Sequence, residues 1–508
     1  MTITFSAPAV PPEDARHHES AAEGNIEAAQ RAISALLSAL EGTADYDRIL
    51  LRAAAGAGKS YALVRMVREA LAHENCARVG VTAFANKQVF PLAGELGREL
   101  GAARVCLFVA KDRLPEVPQD VLDQVSVATS AGGVPDTCDV VLGTSHKMGA
   151  WGEPQRLLDR LGPGVNATLP FDVLFVDEAW QLPLHRYATV QGLAPLSVGV
   201  GDVGQLPPID PGQNPWRGDP GYNPYRAWPT AYENDEKTFA VDLPAVWRPT
   251  AAQLPLWRAF YGDWDRLDCV AAPGDRTVEP PAMTGPAAAV WESVATGTPT
   301  LLEVEGLPDP EAPDIDPDLL GVVEEVLMPL LEGGFAITRR RYDGVGRPLN
   351  EERITSGAPS GDPLIVVLAT RNQAVDDATA MVERLTDKYG LPEGVLLAST
   401  VDSWQGQTNA ITVAVHPLSG ADRLDEFNSA FGRLAVTCTR ATHGLLMVAR
   451  AGLDDLLGEA PARPGTPLGE PGNRSLPRQT HQRILTTFSR ATLRLGGRGS
   501  GGRRSPCR

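Results

Sequence analysis

Short apolar runs alternate with stretches of helical periodicity along the first half of the chain. In the helical stretches the apolar positions recur every three or four residues, whereas the runs are almost continuously apolar. Such runs, when separated by helices, are typical of a parallel sheet that is covered on both faces. The pattern predicts an α/β unit with strands at residues 78–84, 104–110, 139–144, 172–177 and 196–201.

The same alternation returns in the second half of the chain. Apolar positions at helical spacing predict a helix over 316–331, and a further amphipathic helix is predicted over 25–40 near the start. A stretch rich in proline and glycine separates the two halves and is typical of a domain boundary. The second unit is predicted to have strands at 301–304, 363–369, 395–400, 410–416 and 444–449.

These patterns predict five regions. Residues 1–20 are polar and contain prolines, which favours a mobile arm. From Ala460 onward the chain has ten arginines and only one acidic residue, Glu470, in Pro-, Gly- and Ser-rich sequence. Such sequence favours a largely disordered tail, apart from a short helix within 482–495. The regions are the arm (1–20), a first α/β domain (21–265), a linker (266–297), a second α/β domain (298–455) and a basic tail (456–508).

A candidate phosphate-binding loop follows the apolar run at 49–51. Residues 53–60 read A-A-A-G-A-G-K-S, which matches G-x-x-x-x-G-K-[ST] with Ala53 in place of the first glycine. Backbone N–H groups of residues 55–58 would cradle phosphate oxygens at a helix N-terminus. Lys59 would reach the β- and γ-phosphates, and the Ser60 hydroxyl would bind Mg²⁺. The alternative is an ordinary strand-to-helix turn with a surface lysine. The predicted loop residues are Ala55, Gly56, Ala57, Gly58, Lys59 and Ser60.

Two further strand ends carry candidate chemistry. Asp177 and Glu178 follow a buried apolar run, at the end of the strand where ligands of open α/β sheets collect. Asp177 would hold Mg²⁺, and Glu178 would orient and deprotonate an attacking water. A solvated turn is the alternative. Residues 198–208, V-G-V-G-D-V-G-Q-L-P-P, would present Gln205 to the γ-phosphate or to that water.

Composition narrows the functional classes. The 508 residues carry a net charge of −17, which argues against a protein that coats nucleic acid nonspecifically. The six cysteines are scattered, which argues against a zinc site or a disulfide framework. The chain has no run of eighteen apolar residues and no signal-like start, so we expect a soluble, cytoplasmic protein without a membrane partner.

Taken in order, these segments resemble the motif series of superfamily 1 helicases, closest to the clade with a G-D-x-x-Q-L-P-P signature. The resemblance covers about residues 22–452. It departs from the family pattern at Trp247, where tyrosine is usual, and at Thr408, where glutamate is usual. The matching segments are 25–33 (N-I-E-A-A-Q-R-A-I), the phosphate loop, 176–181 (V-D-E-A-W-Q), 201–208 (G-D-V-G-Q-L-P-P), 243–248 (L-P-A-V-W-R), 260–262 (F-Y-G), 368–373 (L-A-T-R-N-Q), 399–407 (S-T-V-D-S-W-Q-G-Q) and 433–441 (R-L-A-V-T-C-T-R-A).

The resemblance implies two tandem RecA-like domains of the P-loop NTPase fold, with ATP and Mg²⁺ in the cleft between them. It assigns Gln30 to the adenine and Gly406 to the nucleotide. Arg248 and Arg440 would stabilise charge on the transferring phosphoryl group. It also implies a monomer that binds single-stranded nucleic acid, with DNA favoured over RNA. The candidate contacts to the nucleic acid are Thr82, Asn86, Thr144, Thr400 and Trp404.

The leading functional prediction is therefore an ATP-dependent helicase or single-strand translocase. Two alternatives remain open. One is a P-loop ATPase switch that remodels protein partners without unwinding nucleic acid, and the other is a degenerate ATP-binding scaffold. The sequence disfavours the scaffold, because the full set of predicted catalytic residues is present.

Overall fold

We analysed a computed structural model of the chain. It describes residues 3–10, 14–165, 168–204, 208, 214–216, 222–262, 264–310, 312, 315–370, 372–424, 431–460 and 477–495. Among the helices in these ranges, none combines the length and the apolar character needed to cross a bilayer.

An eight-stranded sheet forms the first unit, in the order β4-β3-β5-β2-β6-β7-β1-β8, and every pairing in it is parallel. Its strands are β1 (Arg48–Ala53), β2 (Val79–Ala83), β3 (Val105–Phe108), β4 (Ser126–Ala128), β5 (Val140–Thr144), β6 (Val173–Asp177), β7 (Leu196–Asp202) and β8 (Thr238–Leu243). Its helices are α1 (His18–Glu41), α2 (Lys59–Leu71), α3 (Asn86–Leu100), α4 (Gln119–Leu122), α5 (Ser145–Met148), α6 (Glu153–Leu161), α7 (Leu184–Val190) and α8 (Leu254–Phe260).

A six-stranded parallel sheet forms the second unit, in the order β16-β15-β17-β18-β12-β19. Two small sheets lie outside it: β9 (Ala245–Val246) pairs with β10 (Asp268–Cys269), and the antiparallel sheet comprises β11 (Arg276–Glu279), β13 (Ala336–Tyr342) and β14 (Pro348–Thr355). The remaining strands are β12 (Thr300–Glu305), β15 (Ile365–Ala369), β16 (Leu396–Thr400), β17 (Asn409–Val415), β18 (Ala441–Arg450) and β19 (Ser489–Arg494). The helices are α9 (Pro286–Ala295), α10 (Pro317–Gly333), α11 (Asn372–Tyr389), α12 (Phe431–Cys438), α13 (Leu453–Glu459) and α14 (Pro477–Leu485).

The predicted α/β fold class, with two tandem units built on parallel sheets, is confirmed. Strand β7 lies between β1 and β6, so the loops that follow these three strands meet at one edge of the first sheet. Because the strands are parallel, this is the edge where all their carboxyl ends lie. The edge therefore gathers the phosphate loop, the two predicted carboxylates and the turn at 202–204.

The predicted linker at 266–297 is not a simple connector. It contains β11, which belongs to the small antiparallel sheet, and α9, which buries Val290, Trp291 and Val294 in the core of the second unit. The Trp291 indole N–H donates to the Val326 carbonyl oxygen at 2.8 Å. The high proline and glycine content marks turns around these elements, and their apolar residues join the core.

Both chain ends are more ordered than predicted. Strand β19 pairs with β12 along six residues, and Ile484, Leu485 and Phe488 are buried, so the tail is not disordered between 477 and 495. The N-terminal arm is also attached rather than mobile: Ser6 forms a bridge with Arg490, and His18 bonds Asp275 at 2.7 Å. The arginine-rich composition hid the apolar residues that hold the tail in the sheet.

Candidate active site

The phosphate loop turns through two glycines with left-handed backbone conformations. The φ angles are 73° at Gly56 and 90° at Gly58, a region that side chains with a Cβ rarely adopt. A Cβ on Gly56 would lie 2.3 Å from the Arg248 Cβ. Gly56 is therefore required both by its backbone angle and by the close approach of the chain at Arg248.

Side chains from α1 and α8, together with the residue that follows α8, hold this loop in place. The Ala55 N–H donates to the Tyr261 hydroxyl oxygen at 2.9 Å, and the Ala55 carbonyl accepts from the Trp257 indole N–H at 3.0 Å. On the other side, the Asn25 amide donates to the Ala57 carbonyl oxygen at 2.9 Å. The loop is thus fixed by hydrogen bonds before any anion binds, which lowers the ordering cost of binding one.

Lys59 and Glu178 form an ion pair at the centre of the site. The Lys59 ammonium lies 2.7 Å from the Glu178 carboxylate, and both side chains are largely buried. Burial alone would lower the Lys59 pKa, but the charges of Glu178, Asp202 and Asp177 outweigh it and raise that pKa. Lys59 therefore stays protonated and able to bind an anion. The other Glu178 carboxylate oxygen accepts from the Gln181 amide at 3.0 Å.

Asp177 is a buried carboxylate at the end of β6, only 8% exposed. Burial raises its pKa to about 7, repulsion from Glu178 adds to the rise, and Lys59 opposes it. A cation at this position would relieve that penalty by favouring the ionised form. Ser60, in the first turn of α2, has an exposed hydroxyl that could supply a second oxygen ligand. These oxygen donors fit a Mg²⁺ ion.

Asp202, at the end of β7, is the third carboxylate of the site. It is 2% exposed and accepts from the Tyr261 hydroxyl at 2.7 Å and from the Gly204 N–H at 2.9 Å. Burial raises its pKa, while Lys59 and the Tyr261 hydrogen bond oppose that rise. Tyr261 thus connects the backbone of the phosphate loop to the strand end that precedes Gln205. Gln205 itself lies outside the described residues.

Arg248 and Arg440 come from different units and meet beside this centre. Arg248 donates to the Thr439 carbonyl oxygen at 3.1 Å. Burial, together with repulsion from Arg440, lowers the Arg248 pKa to about 9. Burial also lowers the Arg440 pKa, while the negative charges of Asp202 and Glu178 oppose the fall. The two cations therefore face the same acidic centre as Lys59.

Arg440 is fully enclosed, with 0% exposure. Its guanidinium donates to the Val436 and Gln407 carbonyl oxygens at 3.2 and 3.4 Å and to the Thr439 hydroxyl oxygen at 3.0 Å. These contacts hold the group at the end of α12, and none of them is to a carboxylate. Its positive charge is thus positioned without being neutralised by a bonded acid.

Two other predicted nucleotide contacts lie at exposed positions and take no part in the hydrogen bonds described above. Gln30 lies exposed on α1, and its side-chain oxygen accepts from the Arg65 guanidinium at 2.7 Å. Gly406 lies in an exposed turn with a φ of 87°, and a Cβ there would meet nothing within 4 Å. Their roles stay predictions that the contacts of the described residues do not test.

The predicted nucleic-acid contacts fall into two groups. Thr82 is 1% exposed inside β2, and its contact with a nucleic acid stays a prediction. Thr144 and Asn86 lie at the carboxyl edge of the first sheet, where the Thr144 hydroxyl caps α5. In the second unit, the Thr400 hydroxyl accepts from the Ser403 N–H at 2.9 Å, and the Trp404 indole donates to the Asn409 side chain at 2.9 Å.

Sequence reasoning assigned no role to four residues that shape the site. Trp257 in α8, Tyr261 directly after α8 and Asn25 in α1 each form a hydrogen bond with the loop backbone. Asp202 is the third carboxylate of the acidic centre. A signal existed for Asn25, because a polar residue on the buried face of an amphipathic helix must find hydrogen-bond partners. The pairing of Tyr261 with Asp202 had no local signal, since 59 positions separate them.

The comparisons with known proteins found only distant structural similarity. No protein-family model and no curated protein sequence matches this chain. Among solved structures, the PRRSV helicase matches with 14% identity and a TM-score of 0.37 over 82% of this chain and 56% of that one. Arterivirus nonstructural protein 10, a helicase in complex with DNA, has 13% identity, a TM-score of 0.37 and coverage of 84% and 65%.

A third match is the DUF1998 helicase MrfA bound to DNA, with 11% identity, a TM-score of 0.38 and coverage of 89% of this chain and 51% of that one. The chain thus spans about half to two thirds of the length of these three proteins. At such identities and TM-scores the likenesses do not establish a family or an activity, and the functional conclusion has to come from the site itself.

Proposed function

We propose that this protein hydrolyses ATP with Mg²⁺ in the cleft between two RecA-like domains and uses the cycle to move along, or to unwind, nucleic acid. The observation that carries the proposal is the meeting of Arg248 and Arg440 beside the phosphate loop, with a hydrogen bond from Arg248 to the Thr439 carbonyl. A site assembled from both units is what couples the chemistry of a nucleotide to their relative motion.

The phosphate loop and Lys59 bind the nucleotide in this proposal. The loop offers backbone N–H groups at the start of α2, and the charged Lys59 side chain is available for the β- and γ-phosphates. A γ-phosphate would compete with Glu178 for Lys59, because the two side chains now form an ion pair at 2.7 Å. Nucleotide binding would therefore release the Glu178 carboxylate.

Glu178 is proposed as the group that orients and deprotonates the attacking water. Its backbone has a φ of 49°, an uncommon value for a residue with a side chain, and this conformation turns the side chain toward Lys59 at the end of β6. Asp177 and Ser60 would hold Mg²⁺, which would supply positive charge to neutralise the charge that develops on the phosphates. Water activation and metal binding thus fall to adjacent carboxylates with separate tasks.

The two arginines are proposed to stabilise charge on the phosphoryl group in transfer. Arginines in this role are worth about 10³–10⁵ in rate in related ATPases. Burying these two positive charges is unfavourable, since burial lowers the pKa of both side chains. An added anion would offset this cost, which favours closure of the units around a nucleotide.

The partner is proposed to be single-stranded nucleic acid, with DNA favoured over RNA, bound along the carboxyl edges of the two sheets. Asn86 and Thr144 lie at this edge of the first unit, and Thr400 lies at the end of β16 in the second. The edges already touch, because the Lys87 ammonium donates to the Asp402 carbonyl oxygen at 3.2 Å. A strand bound across both edges would sense their separation.

The test is ATP turnover by the full chain with and without single-stranded DNA or RNA. We expect turnover that rises when an oligonucleotide is added. Lys59→Ala is expected to lose nucleotide binding, whereas Glu178→Gln is expected to keep binding and lose turnover. If no oligonucleotide changes the rate of ATP turnover by the wild type, the alternative of an ATPase switch that acts on protein partners is favoured. Equal loss of ATP affinity in both variants would contradict the division of roles.

A further inference from the structure

Trp151 is the most exposed large apolar side chain among the described residues, with 94% of its surface accessible. It lies in the short loop between α5 and α6. An exposed tryptophan does not contribute the hydrophobic stabilisation that burial of its ring would provide. Tryptophan is enriched at interfaces, where its ring is buried against a partner.

The loop that carries Trp151 is held rigidly. A Cβ on Gly149 would lie 2.4 Å from the Thr189 hydroxyl oxygen, so the backbone packs directly against α7. The Gly149 N–H donates to the Ser145 carbonyl, and the Glu153 N–H donates to the Ala150 carbonyl, both at 2.9 Å. Gly152 has a φ of 78° and is the N-cap residue that precedes α6. The fold therefore fixes the loop backbone around the exposed ring.

The loop also lies at the functional edge of the first sheet. Helix α5 begins directly after β5, and the Thr144 hydroxyl caps it by accepting from the Lys147 N–H at 3.2 Å. The carboxyl end of β5 is adjacent to that of β2, where Phe84 and Asn86 follow. Trp151 is thus on the side of the molecule where the proposed strand-binding residues lie.

Aromatic and basic side chains surround this part of the edge. The rings of Phe84 and His146 lie 5.4 Å apart. His146 is close enough to Arg186 for that charge to lower its pKa, in addition to the lowering by burial. The Arg156 guanidinium, which pairs with Glu153 at 2.8 Å, lies 3.5 Å from where a Cβ on Gly152 would be.

We propose that Trp151 is a base-stacking site for single-stranded nucleic acid, at a position outside the helicase-like motifs. Aromatic side chains next to cations are the common means of binding unpaired bases, because every base offers a π-face and the backbone is anionic. The proposal rests on the proposed function, since it extends the strand path along the first unit. The positive charge next to this loop comes from Arg156, whose guanidinium lies close to Gly152, the residue after Trp151.

The experiment measures binding of fluorescein-labelled oligothymidylate to the full chain over a range of salt concentrations. Trp151→Leu keeps apolar bulk but removes the aromatic face, and it is expected to weaken binding at least about fivefold. The slope of log K against log salt should stay unchanged, since no phosphate contact is lost. Trp151→Phe should recover most of the affinity. Leu349→Ala, at an exposed apolar residue of the second unit, is the matched control and should bind as the wild type does.

A second readout follows the base itself. With 2-aminopurine in place of one thymine, stacking should quench its fluorescence in the wild type and not in Trp151→Leu. Basal ATP turnover without nucleic acid should be the same in both proteins, because Trp151 is outside the nucleotide site. If the wild type binds the oligonucleotide and Trp151→Leu binds it equally tightly, the stacking site is refuted while the proposed function stands. If the wild type binds no oligonucleotide, the proposed function itself fails.

Discussion

Replacing Tyr261 with phenylalanine tests the hydrogen bonds that shape the phosphate loop. The substitution removes one oxygen atom, which accepts from the Ala55 N–H at 2.9 Å and donates to Asp202 at 2.7 Å. The ring itself stays, packed so closely on Gly204 that a Cβ there would lie 2.6 Å from it. The change therefore isolates the hydroxyl from the packing.

The magnitude follows from what the lost oxygen leaves behind. A buried N–H without an acceptor costs about 1–3 kcal/mol, and a hydrogen bond to a charged group contributes about 1.5–3 kcal/mol. Asp202 still accepts a hydrogen bond from the Gly204 N–H, so the free energy lost with the Tyr261–Asp202 hydrogen bond is only partly realised. Together these terms predict a loss of about 2–4 kcal/mol in the free energy that orders the loop.

The pH dependence has a definite sign. The folded-state pKa of Asp202 is raised by burial, and the Tyr261 hydrogen bond opposes that rise. Without the hydroxyl the Asp202 pKa rises further, so the variant protonates Asp202 at a higher pH than the wild type. The cost of Tyr261→Phe should therefore be smaller at acidic pH and grow as the pH rises through the Asp202 pKa.

The assay is amide hydrogen exchange of the peptide that contains residues 50–60, together with steady-state ATP kinetics. We expect exchange of the loop to accelerate by about 30-fold or more, which corresponds to 2 kcal/mol, and nucleotide affinity to fall. Tyr187→Phe is the matched control, because its buried hydroxyl donates to the neutral Ser197 hydroxyl at 3.0 Å, away from the loop. If Tyr261→Phe and Tyr187→Phe show the same rate of loop exchange and the same ATP turnover, the role of the Tyr261 hydroxyl in ordering the loop is refuted.

Two further predictions concern the metal and the tail. Burial raises the pKa of Asp177 to about 7, so binding of the Mg²⁺–nucleotide complex near pH 7 should release protons and should weaken as the pH falls through 7. Calorimetry in two buffers of different ionisation enthalpy should detect the proton release. The Asp177→Asn variant should not show it. Truncation after residue 460 should cause aggregation, because it exposes the edge of β12 and removes buried Ile484 and Phe488, whereas truncation after 495 should leave the thermal midpoint unchanged. Equal solubility and thermal midpoints of the two truncated proteins would contradict the placement of β19.

The sequence was sufficient for those parts of the fold that depend on local patterns. Continuous apolar runs predicted β2, β5 and β6 to within one or two residues, because a strand buried on both faces leaves a distinct signature. The turn between β1 and α2 was also predictable, since its glycines and lysine follow one another in the chain. Gly56 shows why: its φ of 73° excludes most other residues.

What the sequence did not predict depends on distant contacts. Strand β19 alternates buried Ala491 and Leu493 with exposed polar residues, a weak signal inside an arginine-rich segment. The antiparallel hairpin of β13 and β14 was missed because its strands are largely polar, and ion pairs such as Arg339 with Glu352 at 2.9 Å stabilise it. The role of Tyr261 required knowledge of which residues the fold brings to the phosphate loop.

Arg440 provides the most direct test of the claim that the two units share one catalytic site. Nucleotide-binding titrations and ATP turnover would be measured for the wild type, Arg440→Ala and Arg440→Lys, each with and without a single-stranded oligonucleotide. Arg440→Lys keeps the charge but cannot reproduce the guanidinium contacts, and an unchanged Kd for ATP in either variant serves as the check of folding. We predict that both variants bind ATP nearly as the wild type does, that kcat falls at least about 100-fold, and that the oligonucleotide restores none of it. Turnover by Arg440→Ala at the wild-type rate, with the wild-type response to the oligonucleotide, would contradict the account.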